Sequence, residues 1–259
     1  MATDRAETPE IVTVGDGFYV RQAVDNIAWI DLGKDALVVD ALEQPELEEE
    51  VFQAIRSTLG DRPIRCVLNT HTHYDHVALN AAFQRRFGAQ IINQRTAPIE
   101  PQGRWLEGPR RRVLMLPMPG CHTDEDCVIW VPDDKALFVG DIFGWGLIPC
   151  GDLRGDAPRR LVDTYARLID FGAAVVIPGH GPLCTTAELQ RWVEYFLWLQ
   201  KQAVRACGEG QSDKEILGHI PPPKDMHGWW RFLQWKHQDS LAKVLQAVRS
   251  GWLGKTQGR

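Results

Sequence analysis

The apolar run IRCVLN at residues 64–69 has the length and composition of a buried strand, and it opens directly into THTHYDH at 70–76. Three of the chain's eight histidines, His71, His73 and His76, crowd into that loop together with Asp75. Neighbouring imidazoles repel when charged, so packing alone gives a core no use for such a cluster. Further along, GCHTDED, FVGDIFG and IPGHG place His122, Asp141 and His180 each where a strand-like run ends. A fold for this chain must therefore finish several distant strands at one shared edge.

In a tight loop after a strand, alternating His71 and His73 can aim their rings at one centre, while Asp75 and His76 on the next turn face a second centre a few ångströms away. Zinc accepts nitrogen and oxygen donors, and a catalytic zinc keeps one position open for water. Manganese or iron could occupy the same donors. The expectation is two zinc ions per chain.

The remaining pattern has two similar halves. FYVRQAV, NIAWIDL and ALVVDA read as strands, followed by a helix with Leu47, Val51, Ile55 and Leu59 on one face and Gly60 as its stop. A helix over Val77–Phe87 and the strand AQIIN complete the first half. RRVLMLP, DCVIWVP and KALFVGD are the strands of the second, before a helix opened by Asp156 and Pro158 and closed by Gly172. ALVVDA matches KALFVGD in place, as IRCVLNTHTH matches AAVVIPGHG, which suggests two face-to-face sheets with helices outside. Thr185 and Glu188 form a capping box for a further helix. GEGQSD loosens the chain, IPPPKD stiffens it, and a last helix is expected from about Trp229 to Ser250. His237 falls on its apolar face and reads as a core histidine. Arg110, Arg111 and Arg112 read as a solvated strand edge, and Cys121 as a small buried filler.

HTHYDH followed by His122, Asp141 and His180, in that order and at those separations, closely resembles the metallo-β-lactamase fold superfamily, over roughly residues 11–205. The resemblance implies an α/β fold, a four-layer αββα sandwich spanning 1–205, with a helical extension at 206–259 packed on it. It implies that His71, His73 and His122 hold a first metal, that Asp75, His76 and His180 hold a second, and that Asp141 bridges them. Asp40, after ALVVDA, matches the family's acidic residue beneath the site, where a carboxylate fixes the tautomer of a ligating imidazole.

Two divalent cations sharing a water lower its pKa towards neutrality, which makes hydrolysis of an ester, thioester, lactone or related bond the leading expectation. Asp75 could also orient the nucleophile or take its proton. An aspartate at 141 is similar to glyoxalase-II-like, lactonase, phosphodiesterase and RNA-processing branches, where true β-lactamases usually carry cysteine or serine. Weak β-lactam turnover, a mononuclear iron enzyme resembling persulfide dioxygenases, and a phosphodiesterase or nuclease stay open. The net charge of −5 argues against a general nucleic-acid or membrane surface. A small-molecule substrate is therefore expected. Trp145, Trp229 and Trp230 are candidate substrate contacts. The segment around the last two would wall the pocket, or else serve as a packing helix or a homodimer contact. Six scattered cysteines with no Cys-x-x-Cys pair, and an N-terminus without an apolar run, point to the cytoplasm.

Overall fold

The computed structural model describes residues 8–146, 151 and 153–253. Its first sheet has the order β1-β2-β3-β4-β5-β6, from β1 (Glu10–Gly15), β2 (Phe18–Gln22), β3 (Ile27–Asp31), β4 (Ala36–Val39), β5 (Ile64–Leu68) and β6 (Gln90–Ile92). The second runs β11-β10-β9-β8-β7, from β7 (Arg104–Glu107), β8 (Arg112–Pro117), β9 (Cys127–Val131), β10 (Ala136–Gly140) and β11 (Val175–Pro178). Six helices flank them: α1 (Glu48–Leu59), α2 (Asn80–Phe87), α3 (Ala157–Asp170), α4 (Thr186–Gly208), α5 (Asp213–His219) and α6 (Gln234–Arg249).

Alternation along the strands builds the four layers. In β4, Leu37 and Val39 point into the core between the sheets, where they join Phe18, Met115, Ile129, Phe138 and Ile177. Ala36 and Val38 point the other way, under Val51, Phe52 and Ile55 of α1 and Phe83 of α2. In β10, Phe138 faces inward while Leu137 and Val139 pack beneath α3, α4 and α6. Strands buried on both faces read as continuous apolar runs, which is why ALVV and ALFVG lack polar alternation. The fold is the α/β sandwich of two sheets between helical layers.

The similarity of the two halves survives in three dimensions. β4 pairs in parallel with β5, and β10 pairs in parallel with β11. Asp40 and Asp141 follow the first strand of each pair, and the His71 loop and His180 follow the second. The Thr185–Glu188 capping box opens α4 as expected.

Several expectations need correction. The last helix begins at Gln234 rather than Trp229, because Arg231 sits at φ 49, outside helical geometry. GEGQSD does not simply loosen the chain: Ser212 and Glu215 form a second capping box that starts α5. Arg111 is not solvated; it is buried, gives two hydrogen bonds to Asp134 (2.7 and 2.9 Å) and a third to the Asp31 carbonyl. Cys121 is only half-buried. His237 is fully buried between the Tyr195 hydroxyl and the Ile220 carbonyl, as its apolar helix face implied. α5 and α6 pack on one another and α6 on α4, and Ile216, Leu241, Val244 and Leu245 share a cluster with Leu137 and Val139 of the second sheet. Among the described residues no helix is long and apolar enough to cross a membrane. Cys150 and the first seven residues lie outside the described residues.

Candidate metal centre

The site forms where β5, β10 and β11 end. Asn69 fixes the loop after β5, donating to the His76 carbonyl (2.9 Å) while its own oxygen accepts from Asn80 and Asn93. This holds the 3₁₀ turn Tyr74–His76 close to the strand end, so that residues 71–76 fold back on one point. His122 is set by Asp126, which accepts from the His122 N–H (2.8 Å) and from the Thr123 N–H and hydroxyl. Asp141 follows β10 directly, and His180 follows β11 after Gly179. Gly140 and Gly179 are required by proximity: a Cβ at the first would lie 2.6 Å from the Thr70 Oγ1, and at the second 2.4 Å from Asp141 Oδ1.

All seven residues expected to ligate come together, in two sets. His71, His73 and His122 form one; Asp75, His76, Asp141 and His180 form the other, the candidate ligand atoms of each lying within 4.8 Å of one another. Asp141 belongs geometrically to both. Its Oδ2 lies 4.0 Å from His71 Nε2 and 3.5 Å from His122 Nε2. Its Oδ1 lies 3.4 Å from His76 Nε2 and 3.3 Å from His180 Nε2. Asp75 Oδ2 stands 3.4 Å from His180 Nε2.

The rings are held by their far nitrogens. Asp40, fully buried, accepts from the Thr70 N–H, the Thr70 hydroxyl and His76 Nδ1, each at 2.8 Å. With its proton given to Asp40, Thr70 Oγ1 can only accept from His71 Nδ1 at 3.2 Å. When neutral, both rings therefore turn a lone pair on Nε2 towards the centre. Sequence reasoning missed Asp25, which lies 3.0 Å from His180 Nδ1, the ring nitrogen that also approaches the Val24 carbonyl. Beside it, Asn26 donates to the carbonyls of Pro178 and Gly181 and so clamps the His180 loop. An acid-amide pair, Asp25 and the first residue of NIAWIDL, was the available signal, but it named no partner 155 residues away.

Electrostatically the set is a compromise between burial and attraction. Burial and the neighbouring His76 push His71 down to about 2. For His76 burial works against the charge, but Asp40 and Asp141 outweigh it and raise the ring to about 10. His180 rises to about 12 against the same burial, on the strength of Asp141, Asp25 and Asp75. Asp141, despite complete burial, is held well below the usual carboxylate range by His76 and His180. Protons on two rings thus balance the buried carboxylates of the chain by itself.

The donor set fits a metal. Buried polar atoms are almost always hydrogen-bonded. Among the described residues five side-chain polar atoms are buried without a partner, and four of them, His71 Nε2, His76 Nε2, Asp75 Oδ1 and Asp141 Oδ1, converge here. Imidazole nitrogens and carboxylate oxygens left unsatisfied around one point are ligands for a divalent cation.

The family model of the metallo-beta-lactamase superfamily matches residues 23–119 and 95–180, together more than half of the chain. The chain belongs to the metallo-β-lactamase superfamily. Within it, a hydroxyacylglutathione hydrolase of Brucella anthropi is 30% identical over 124 residues, covering 44% of this chain and 46% of that protein. The beta-lactamase-like protein 2 homolog of Caenorhabditis elegans is 23% identical over 208 residues, 72% of this chain and 66% of its own length. The matches thus span about half the length of the hydroxyacylglutathione hydrolases. Among solved structures, a metallo-beta-lactamase family protein from Thermus thermophilus superposes with a TM-score of 0.67 at 16% identity, over 92% of this chain and 95% of that one. That likeness is one of fold.

The tryptophans separate in this metallo-hydrolase family member. Trp145, at φ 60, donates its indole N–H to the Pro182 carbonyl (2.9 Å) and meets Trp229 edge-on at 5.4 Å. Trp229 also stacks on Trp192 and meets Phe143, so both rings belong to an aromatic cluster over the second sheet. Trp230 instead lies on Gly181, next to His180, and lines a cavity with Gln22, Ala23 and Pro182.

Proposed function

We propose that this chain is a two-metal hydrolase, with zinc as its ion, acting on a thioester, ester or lactone of a small molecule. The observation that carries the pair of ions is the division of Asp141, one carboxylate oxygen towards each histidine set. The relatives named hydroxyacylglutathione hydrolase, about 30% identical over their matched regions, support an acyl bond and among acyl bonds a thioester.

When bound, two such cations supply a water of lowered pKa and polarise the bond under attack. The protein does the rest. His71, His73 and His122 would hold one ion, and Asp75, His76 and His180 the other, with Asp141 between. Asp40 and Asp25 keep the His76 and His180 rings from turning. Asp75 is a carboxylate at neutral pH, held down mainly by His180 and His76 against its partial burial. With one of its oxygens on the ion, the other would be placed to orient the attacking water or take its proton. His73 is exposed, so substrate reaches the centre from its side. The net charge of −5 favours a small molecule over nucleic acid.

Elemental analysis of chelator-free protein, run beside a panel of ester, thioester, lactone and phosphodiester substrates, tests this reading. Two zinc ions per chain and metal-dependent turnover of an acyl bond are expected. A single iron with dioxygen uptake, or turnover confined to phosphodiesters, would overturn it.

A further inference from the structure

Beside His122 the surface dips into a cavity of about 230 Å³ whose walls include Gly120, Cys121, His122, Thr123, Arg154 and Arg160. Because His122 belongs to the first histidine set, this cavity adjoins the metal centre. We propose that it is a subsite for a carboxylate carried on the substrate's acyl chain. The proposal rests on the acyl-hydrolase reading above and narrows its substrate class.

The two guanidiniums come from α3 and the segment before it. Arg160 stands one turn into α3, where its Nη1 is tied to Asp156 at the start of the helix. Its Nε and Nη2 lie against Gly120, where a Cβ would sit 3.1 and 3.4 Å from them. Gly120 has φ 90, so the loop carrying His122 passes close to this cation by using a residue without a side chain. A guanidinium fork matches a carboxylate in shape and charge. A purely aliphatic acyl chain would instead set apolar carbon against two cations, and apolar ligands are received by apolar walls. Two opposing charges are present: Asp124 also lines the cavity, and Asp156 holds Arg160 Nη1 from the start of the helix. The N-terminus of α3, at Ala157, adds to the field that favours an anion.

The test compares two esters on the zinc-loaded full chain, the mono-p-nitrophenyl ester of adipate and p-nitrophenyl hexanoate. They share leaving group and chain length and differ in the terminal carboxylate. The quantity read is the ratio of their kcat/KM values. The ratio should favour adipate and fall by about tenfold in Arg160→Gln and in Arg154→Gln, each of which removes one charge-assisted partner. Asp124→Asn should raise it. Arg159→Gln removes the same charge from an exposed arginine paired with Asp163, outside the cavity wall, and should leave the ratio in place. A ratio that favours hexanoate, or one that falls equally in Arg159→Gln, overturns the subsite. If neither ester is turned over with metal present, the hydrolase reading is judged on the thioester and lactone arms of the substrate panel. The subsite is then decided by calorimetric binding of adipic acid monoanilide against hexananilide. Tighter binding of the anion, weakened about tenfold in Arg160→Gln, supports it, and equal binding overturns it.

Discussion

Replacing Asp40 with asparagine isolates what orientation contributes to metal affinity. Asp40 sits at φ 59, a left-handed position that asparagine enters as readily, so the backbone has no reason to move. One side-chain oxygen survives to accept from the Thr70 N–H at 2.8 Å. The other becomes an NH₂ group facing His76 Nδ1 at the same distance. Two donors then confront each other unless the ring proton moves to Nε2, the atom 3.4 Å from Asp141 that must stay bare to ligate. To bind metal the variant must forfeit a hydrogen bond to a charged group, worth about 1.5–3 kcal/mol. That corresponds to roughly 10- to 100-fold in affinity for the ion held by His76, the scale expected for a partner behind a ligand. Competition against a chromophoric chelator reads the affinity, and circular dichroism confirms the fold. Affinity within about twofold of wild type would refute the argument from tautomer control.

Asp141→Asn leaves one oxygen for two histidine sets, so one ion should be lost and turnover reduced by about three orders of magnitude, with the fold intact; elemental analysis and rate measured on the same sample check this. His76, raised to about 10, and His180, raised to about 12, are cationic at pH 7.5 in the free chain yet must be neutral to ligate. Metal binding should therefore release about two protons, measurable by calorimetry in buffers of different ionisation enthalpy. Both rings are raised above their unfolded value, so their contribution to the stability of chelator-treated protein is complete below about pH 6.5 and declines as pH climbs, through about 10 for His76 and about 12 for His180. Urea midpoints that hold steady or rise from pH 7 to pH 10 would contradict the assignment. Trp229→Ala removes a ring packed on Phe143, Trp145 and Trp192 and should cost about 3 kcal/mol in urea unfolding.

The ligand-bearing strands were legible because double-sided burial makes them short, unbroken apolar runs that stop at a donor. The same physics hid others. β1, with EIVTVG mostly exposed or half-exposed, and β7, with three of its four residues exposed, are edge strands whose sequences carry no burial signature. The seven ligating candidates stood out from their places at or just after strand ends, whereas Asp40 was singled out only through the family resemblance. Asp25, Asn26 and the Asn69–Asn80–Asn93 network could not be named, since a single polar side chain gives no hint of the distant backbone it will hold. Tryptophan content suggested a pocket wall, but whether an indole packs or contacts substrate depends on its neighbours. Only the fold shows Trp145 and Trp229 enclosed by other rings and Trp230 facing a cavity.

Each ligand set draws on both sheets. His71 and His73 follow β5 while His122 precedes β9, and Asp75 and His76 come from one sheet while Asp141 and His180 come from the other. The Asn26 clamp ties the last of these back across the seam. During synthesis the ribosome delivers these donors in a fixed sequence, and His180 emerges long after His71. An unfinished chain that stops short of β11 would own every donor of the first set and still lack His180 of the second. On the two-ion reading, full metal loading would therefore be a property of the completed sandwich, and ion content alone would distinguish an incomplete product from a finished one.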